Sequence, residues 1–288
     1  MTAKVRVRAT CDGDDFLQYA GDWLNRNEAD NNTILSIAGD AGSDGSMLRP
    51  PFWFGLAECS RGFGGVAAFA LPDGLVLSDM ADRYVPPLVN ALLSEGLMPA
   101  RIYAPPGLAE IASCQLRESI GKTFKQQRVW LAYVISEHVA PPPLELGTLQ
   151  PATQSDLELV RQLGSDYGFE KPSIVDVSRY FVSKLRTGDL YLWVDTDTDE
   201  VKTVIAISGS TDNVIRIAGV FTPRSHRCKG YGSAAVSTVT NAQLDAGYQS
   251  VTLMADKDDA NALHLYESLG YERLHVRVEL VVDNDTNP

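Results

Sequence analysis

Three consecutive prolines, Pro141, Pro142 and Pro143, near the middle of the 288-residue chain constrain its fold more than any other feature. A proline has no amide hydrogen and holds its backbone extended, so such a run belongs in neither a helix nor a central strand. The sequence therefore predicts a linker at roughly residues 138–148 and two domains, 1–140 and 147–288. The chain is long enough for two domains of ordinary size.

The composition excludes several classes of protein. Hydrophobic residues make up 44% and charged residues 22% of the chain, which is typical of a water-soluble globular protein. The net charge of −12 argues against a nucleic-acid backbone as partner, because phosphate binding needs clustered Lys and Arg. There is no apolar run of bilayer length, no secretory signal and no metal-type spacing of Cys or His. We expect a cytoplasmic protein without a metal, a membrane partner or a nucleic acid.

The second half alternates short apolar runs with helical patterns. Leu190–Asp195 and Val201–Ser208 are β-branched runs joined by an acidic turn, which predicts an antiparallel hairpin. Val214–Thr222 and Val251–Ala255 are further predicted strands, and Tyr231–Ala246 between them has the spacing of a helix. The sequence thus predicts an α/β fold of the α+β type for this half.

The first half is less regular, but its predicted strands and helices follow an order similar to that of the second half. Both a diverged internal duplication and an unrelated α/β half are compatible with this order. The predicted strands are Trp53–Glu58, Gly65–Ala70, Leu75–Ser78, Arg101–Ala104 and Arg128–Ile135, and the predicted helices are Pro86–Ser94 and Leu108–Ser119.

A glycine-containing segment, Val220–Ser233, joins a predicted strand to a predicted helix. The first amides of a helix lack hydrogen-bond acceptors and the helix dipole is positive there, so such a junction can bind phosphates. No Asp or Glu occurs from Asn213 to Leu244, although the chain is acidic, and an anionic ligand is the economical explanation. An ordinary glycine turn is the alternative. The basic residues of this stretch are Arg216, Arg224, His226, Arg227 and Lys229.

A dinucleotide is one possible anion, because Gly230–Ala235 also fits the fingerprint GxGxxA, with Asp256 near the place of a ribose-binding acid. However, seven residues separate Thr222 from Gly230, whereas the dinucleotide turn follows its strand tightly. Too few residues follow the loop to complete a doubly wound sheet. A dinucleotide is therefore the weaker interpretation.

Two motifs resemble the GNAT superfamily of acyl-CoA N-acyltransferases. Arg227-Cys-Lys-Gly-Tyr-Gly232 is similar to its R/Q-x-x-G-x-G/A signature, and Ala262–Tyr271 is similar to its A-x-x-L-Y-E-x-x-G-F/Y helix and turn. The resemblance covers about residues 147–282 and implies a GNAT fold with a mixed, mostly antiparallel twisted sheet. With its extra first half, the chain looks like two-domain members whose first half is a degenerate GNAT-like copy without a coenzyme A loop.

The resemblance also implies the cofactor, acetyl-CoA, and its contacts. The main chain of Val220, Phe221 and Thr222 would pair with the pantetheine arm, and Arg227 would fix the loop. The pyrophosphate would be bound by the backbone amides of Cys228, Lys229, Gly230, Tyr231, Gly232 and Ser233.

Tyr266 matches the tyrosine that serves as general acid for the departing thiolate in this superfamily. Protonation helps because a thiol with a pKa of ~8.5 leaves more readily when it can take up a proton. Many relatives place an Asn seven residues before this tyrosine, where it orients the cofactor, whereas this chain has Asp259.

The acceptor would be an amine, and an amine with a pKa of ~10.4 must lose a proton before it attacks. Many relatives use a Glu on the strand before the loop, but Asn213–Thr222 holds no carboxylate. Asp256 is the first candidate for the base, Glu170 is the second, and water alone is the third. An acyl-enzyme at Cys228 and a coenzyme A-binding regulatory module without turnover are alternatives. Amino acids, polyamines, aminoglycosides and protein amines are all compatible acceptors.

Overall fold

The computed structural model describes residues 4–41, 48–60, 62–72, 74–140, 147–171 and 176–283. In both halves of the chain the elements follow one order: a strand, two helices, three strands, a helix, a strand, a helix and a strand. The first half contains β1 (Arg6–Thr10), α1 (Gly13–Leu24), α2 (Glu28–Asp40), β2 (Arg49–Cys59), β3 (Gly62–Leu71), β4 (Gly74–Leu77), α3 (Val85–Ser94), β5 (Arg101–Ala104), α4 (Pro106–Ile120) and β6 (Phe124–Ile135).

The second half repeats this order. It contains β7 (Thr148–Pro151), α5 (Leu157–Glu170), α6 (Val177–Thr187), β8 (Leu190–Val194), β9 (Val201–Ser208), β10 (Val214–Phe221), α7 (Tyr231–Asp245), β11 (Ser250–Asp256), α8 (Ala260–Ser268) and β12 (Glu272–Val282). The shared order is that of an internal duplication. Every helix in the described ranges is too short or too polar to span a bilayer.

The chain folds into two compact units that differ from the two consecutive segments predicted above. The first unit contains Met1–Ala132, Asp256–Asp258 and the segment from Leu274, and the second contains Tyr133–Ala255 and Asp259–Arg273. Most of β12 therefore lies in the first unit, where it pairs antiparallel with β5. The alternating apolar pattern of β12 predicts a strand, but such a pattern does not specify the partner strand.

The linker predicted at residues 138–148 is only partly described, because Pro141–Pro143 lie outside the described residues. The residue before them, Val139, is attached to α7 by the side chain of Asn241. That amide donates to the carbonyl of Val139 at 2.9 Å and accepts from its N–H at 2.8 Å. Residues 138–140 are therefore part of the second unit and not a free connection.

In the first unit the strands follow the order β1-β2-β3-β4-β5-β12-β6. The pairing is antiparallel from β1 to β4 and between β5 and β12, whereas β4 and β5 are parallel. Apolar residues alternate between the two faces of the strands, so the unit has two cores. One core includes α3 and α4, with Leu88 and Leu116 fully buried, and the other includes α1 and α2, with Phe16 and Ile34 at 2% exposure.

The strand-to-helix junction of the first unit lacks the features of the glycine segment. Helix α3 begins with Val85-Pro86-Pro87, and the two prolines offer no amide hydrogen to an anion. The ring of Tyr84 fills the space beside β3, where a Cβ at Gly64 would lie 2.0 Å from its Cζ. At this junction the first half therefore lacks two of the amide donors that the glycine segment offers.

In the second unit the strands follow the order β11-β10-β9-β8-β7, with antiparallel pairing except between β10 and β11. The predicted hairpin is confirmed as β8 and β9, and the mixed, mostly antiparallel sheet is confirmed. Helices α5 and α6 pack against one another, and their apolar sides join a core that contains Phe181, Leu190 and Phe221. This core holds β10, the strand that leads into the glycine segment.

Candidate functional site

The two parallel strands of the second unit separate before they end. Their paired register covers Val214 to Ile217 on β10. Beyond the last pair, Ile217 with Leu253, β10 continues to Phe221 and β11 continues to Asp256. Parallel strands that separate at their carboxyl ends form a crevice in which α/β proteins commonly bind ligands.

The segment after β10 turns sharply into α7. Cys228 has a φ of +59° and Gly230 has a φ of +87°, so both are in the left-handed region. Gly230 is the N-cap of α7, and no side chain of the described residues caps this end. The amides of Tyr231, Gly232 and Ser233 therefore begin the helix as hydrogen-bond donors without helical acceptors.

Gly232 is favoured for a different reason from Gly230. It lies within α7, and a Cβ at this position would be 3.3 Å from Thr222 Oγ1 and 3.5 Å from Leu265 Cδ1. Such a distance to Thr222 is tight, so the close approach of α7 to the end of β10 favours glycine here. The same contact places α8, which carries Leu265 and Tyr266, beside the start of α7.

Arg227 ties the loop to two other elements. Its Nε donates to the carbonyl of Thr222 at 2.8 Å, and its Nη2 donates to Glu170 Oε2 at 2.5 Å. Arg224 lies 3.4 Å from the other carboxylate oxygen of Glu170. The loop is thereby attached both to the end of β10 and to the last residue of α5.

These ion pairs weaken the case for Glu170 as a base. Partial burial raises the pKa of Glu170, but the hydrogen bond and charge of Arg227, with the charge of Arg224, outweigh it and lower the pKa. A carboxylate with a lowered pKa accepts a proton less readily.

Asp256 is engaged by an ion pair and by a backbone hydrogen bond. Its Oδ2 lies 3.0 Å from Arg128 Nε, and its Oδ1 accepts from the N–H of Asp258 at 3.1 Å. It belongs to the first compact unit, whereas the loop and Tyr266 belong to the second. Both oxygens of this carboxylate are therefore engaged, one by Arg128 and the other by the backbone.

Tyr266 lies on α8 and is 7% exposed. Burial raises its pKa well above the ordinary value, and the neighbouring Tyr167, Tyr271 and Asp259 raise it further. Its ring centroid is 6.1 Å from that of Tyr133. The hydroxyl therefore stays protonated at neutral pH and can donate a hydrogen bond.

Asp259, which replaces the expected Asn, has two structural roles. It is the N-cap of α8, where its Oδ1 accepts from the N–H of Ala262 at 3.2 Å, and its Oδ2 forms an ion pair with Lys171. Partial burial raises its pKa, but the hydrogen bonds from Lys171 and Ala262 lower it overall. Adjacent residues at the end of α5, Glu170 and Lys171, thus contact the loop and the start of α8.

Sequence reasoning missed one set of contacts to the loop. The hydroxyl of Tyr231 donates to Asp195 Oδ2 at 2.8 Å, and His226 Nε2 lies 3.1 Å from Glu200 Oε1. Both acids flank the turn of the β8–β9 hairpin, which the sequence indicates only as an acidic turn. The isolated Lys202 in an otherwise apolar strand was the signal that this hairpin faces charged groups.

The described ranges contain no group of three or more His, Cys, Asp or Glu that could hold a metal ion. The cationic loop, the uncapped amides and the diverging strands are instead the features of an anion site. The chemistry available is therefore binding of a phosphate-bearing ligand, with a protonated tyrosine nearby on α8.

Comparison with known proteins agrees with this geometry. Residues 158–271 match the family model of the acetyltransferase (GNAT) family. A search of curated proteins finds no match to the chain. Solved structures match nearly the whole chain, at sequence identities so low that they show the fold alone.

Three of these structures illustrate the likeness. A GCN5-related N-acetyltransferase from Sphaerobacter thermophilus has 17% identity and a TM-score of 0.62, with 96% of this chain and 94% of that chain covered. A Drosophila protein has 14% identity and a TM-score of 0.66, with 97% and 99% covered. A tandem GNAT protein from the clavulanic acid biosynthesis pathway has 13% identity and a TM-score of 0.56, with 97% and 98% covered. Residues 158–271 thus match the acetyltransferase (GNAT) family model, and the fold of both halves is similar to that of a tandem GNAT protein.

Proposed function

We propose that the second unit is an N-acetyltransferase that transfers the acetyl group of acetyl-CoA to an amine. The observation that supports this most directly is the end of the parallel pairing at Ile217, shortly before a loop with uncapped amides. The match of residues 158–271 to the GNAT family model supports acyl transfer in general. The acetyl group, the amine and the residue roles below are our proposals.

The cationic side chains and free helix amides of the crevice support coenzyme A as its ligand. The main chain of Val220, Phe221 and Thr222 would pair with the pantetheine arm where β10 leaves β11. The amides from Cys228 to Ser233 would bind the pyrophosphate, and the charges of Arg227 and Lys229 would offset its negative charge. When bound, acetyl-CoA supplies an acyl carbon activated by its thioester.

In the reaction, the amine nitrogen forms a bond to the acyl carbon while the carbon–sulfur bond breaks. The sulfur leaves as a thiolate, and the nitrogen gives up a proton. Tyr266 would donate a hydrogen bond to the developing thiolate, since burial keeps its hydroxyl protonated. Because its raised pKa lies above the ~8.5 of a thiol, stabilisation of the charge by this hydrogen bond is the larger part of its role.

We propose water as the proton acceptor. Asp256 and Glu170, the two candidate carboxylates, both form ion pairs with arginines. A base of this kind would have to break an ion pair before it could accept a proton. We therefore propose direct attack on the thioester, with the proton passing to solvent and not through Cys228.

Calorimetry and a thiol-trapping assay test this function. We expect heat on titration with coenzyme A and steady thiol release with acetyl-CoA on at least one amine from a panel of amino acids, polyamines, aminoglycosides and peptides. Tyr266→Phe should lower kcat by roughly 100- to 1,000-fold, the range lost with a general acid or with one hydrogen-bond donor to the developing charge. Tyr248→Phe, which removes a hydroxyl bonded to Ser210 at 2.6 Å, is the matched control and should leave kcat unchanged.

Two other outcomes are distinguishable. Tight coenzyme A binding without turnover on any amine would favour a non-catalytic binding module, for which the two engaged carboxylates are the supporting observation. The absence of heat with coenzyme A would remove the proposal altogether. A dinucleotide is disfavoured because the sheet of this unit is mostly antiparallel and not doubly wound.

A further inference from the structure

At the acidic turn of the β8–β9 hairpin, both carboxylate oxygens of Asp195 accept hydrogen bonds from other residues of the second unit. Asp195 is 9% exposed, and its Oδ2 accepts from the hydroxyl of Tyr231 at 2.8 Å. Its Oδ1 accepts from the amides of Asp197 and Thr198 at 3.1 and 3.0 Å. The hydrogen bond from Tyr231, followed by those from Thr198, lowers the pKa of Asp195 to about 2. This acid is therefore a permanent anion that joins the turn to the first residue of α7.

A second contact from the same hairpin reaches the other side of the glycine loop. Glu200 pairs with His226, in the single turn of 3-10 helix at Arg224–His226, at 3.1 Å. Lys202, which is 5% exposed, pairs with Glu200 and lies 5.9 Å from the ring centroid of Tyr231. We call Asp195, Glu200 and Lys202 the hairpin anchor. The anchor contacts the loop both before and after the left-handed residues Cys228 and Gly230.

We propose that the hairpin anchor sets the conformation of the glycine loop, and that Asp195 is a positioning residue for the cofactor that acts through the hydroxyl of Tyr231. The inference rests on the proposed function, since it names the residue that prepares the same site. Tyr231 follows Gly230 directly, so the position of its ring determines where the amides of the first turn point.

The physical reason is the cost of ordering. A loop with two left-handed residues persists only where its surroundings determine it, and Cys228 pays a steric cost that glycine does not. If the anchor holds the loop in this conformation before the ligand arrives, less free energy is needed to order the loop on binding, and the affinity is higher. Arg227 connects the loop to α5, and the anchor connects it to the β8–β9 hairpin, so the two restraints come from different elements.

The first unit offers an internal comparison. There the end of β2 also contacts the start of the following helix, through Cys59 Sγ and the hydroxyl of Tyr84 at 3.2 Å. In that unit Pro86 and Pro87 remove two of the first amide donors of α3. In the second unit, where the helix presents amide donors, the corresponding tyrosine instead contacts the carboxylate of Asp195.

Variants of the full-length chain test the role of Asp195. Tyr231→Phe removes one oxygen, Asp195→Ala removes its partner, and a third variant combines both changes. Asp197→Ala, at an exposed residue of the same turn, is the control. We expect calorimetry with coenzyme A to show a dissociation constant raised roughly tenfold in each single variant, because a hydrogen bond to a charged group is lost. The double variant should bind coenzyme A as tightly as the single variant with the lower affinity, since both changes remove the same contact.

The kinetic pattern separates positioning from a general structural role. The KM for acetyl-CoA should rise with the dissociation constant while kcat stays within about twofold, as for uniform loss of binding. Asp195→Asn keeps an oxygen acceptor and should restore part of the affinity. A folded Tyr231→Phe with unchanged affinity, strictly additive single effects, or a fall in kcat at constant KM would each overturn the inference.

Folding and function can be told apart in the same experiment. If Asp195→Ala does not fold, Tyr231→Phe alone decides, because it leaves the ring and the packing in place. If the unaltered chain shows no heat with coenzyme A, the proposed function fails and this inference with it. If the unaltered chain binds and Tyr231→Phe binds equally well, only the inference fails.

Discussion

Gly230 has a backbone φ of +87°, which side chains disfavour, whereas Gly232 lies in regular helix and is restricted by its 3.3 Å approach to Thr222 Oγ1. The first glycine permits a conformation and the second permits a contact. Only the first therefore carries a backbone strain that can be measured with a substitution to alanine.

We expect Gly230→Ala to lower the free energy of unfolding by about 1 kcal/mol, because a Cβ strains the left-handed conformation. It should also weaken coenzyme A binding, because the amides after it would be displaced. Gly188→Ala is the matched control, with a φ of +79° at the end of α6 and open space around its Cβ. Chemical denaturation and calorimetry should show equal stability losses but a loss of affinity only at Gly230, and equal affinities would contradict the role of the loop.

The raised pKa of Tyr266 makes a prediction about the pH dependence of kcat. A tyrosine whose pKa lies above its ordinary value stays neutral through the whole neutral range, so it should contribute no ionisation between roughly pH 6 and 10. Any limb of the kcat profile in that interval should therefore persist in Tyr266→Phe. Initial rates across this pH range check it, and a limb that disappears in the variant would show that the hydroxyl ionises in the site.

At the scale of elements, α8 depends on its N-cap, and the departure from the family pattern at Asp259 has a structural explanation. The carboxylate caps the helix and pairs with Lys171, so it serves the element that carries Tyr266. Aspartate and asparagine cap helices about equally well.

We expect Asp259→Asn to retain both stability and activity, since it keeps the cap and loses only a partly exposed ion pair. Asp259→Ala should cost about 1 kcal/mol of unfolding free energy because the cap is lost. Denaturation curves of the two variants, with kcat measured for each, test the difference. If Asp259→Asn were as damaging as Asp259→Ala, the ion pair with Lys171 and not the cap would be the important contact.

Elements with strong local patterns could be predicted from the sequence, and those whose pattern depends on distant contacts could not. The hairpin of β8 and β9, helix α7 and the glycine loop all carry local signals in period, spacing and charge. Helix α2 carries none, because its sequence contains Asn31, Asn32 and Thr33, which favour turns. In the fold, Asn31 is buried and donates to the carbonyl of Leu24 at 3.0 Å, a contact that no local pattern reveals.

The candidate site shows the same division. Gly230, Arg227 and Tyr266 could be found from motif spacing, whereas Asp195 belongs to an acidic turn that is typical of solvent-exposed hairpins. Its significance comes from Tyr231, which lies across the fold and not near it in sequence. Asp256 is a candidate base because of its place at the end of a strand, but its ion pair with Arg128 cannot be predicted from the sequence.

At the scale of the whole molecule, the first unit depends on a strand from the far end of the chain. In its sheet β12 lies between β5 and β6, and Val278 and Leu280 of β12 are part of its core. Glu279 of the same strand accepts from Arg101 at 2.5 Å and from the indole of Trp130 at 3.0 Å. Without β12, two strands of the first unit would lose their neighbour.

We therefore expect a fragment of residues 1–140 not to reach a folded state, although the linker prolines suggest a natural cut. Addition of a peptide of residues 272–283 should restore native-like spectra by supplying the missing strand. Circular dichroism and amide hydrogen exchange of the fragment with and without the peptide provide the test. A fragment that folds cooperatively on its own would show that β5 and β6 can close without β12.

The placement of β12 also has a consequence for biosynthesis. A ribosome releases residues 1–132 long before residues 274–282, so the sheet made first must wait for a segment made more than a hundred residues later. During that interval the nascent chain exposes a gap between two strands that another polypeptide could enter. Translation speed and chaperone supply should therefore govern the yield of this protein more strongly than the stability of the finished fold.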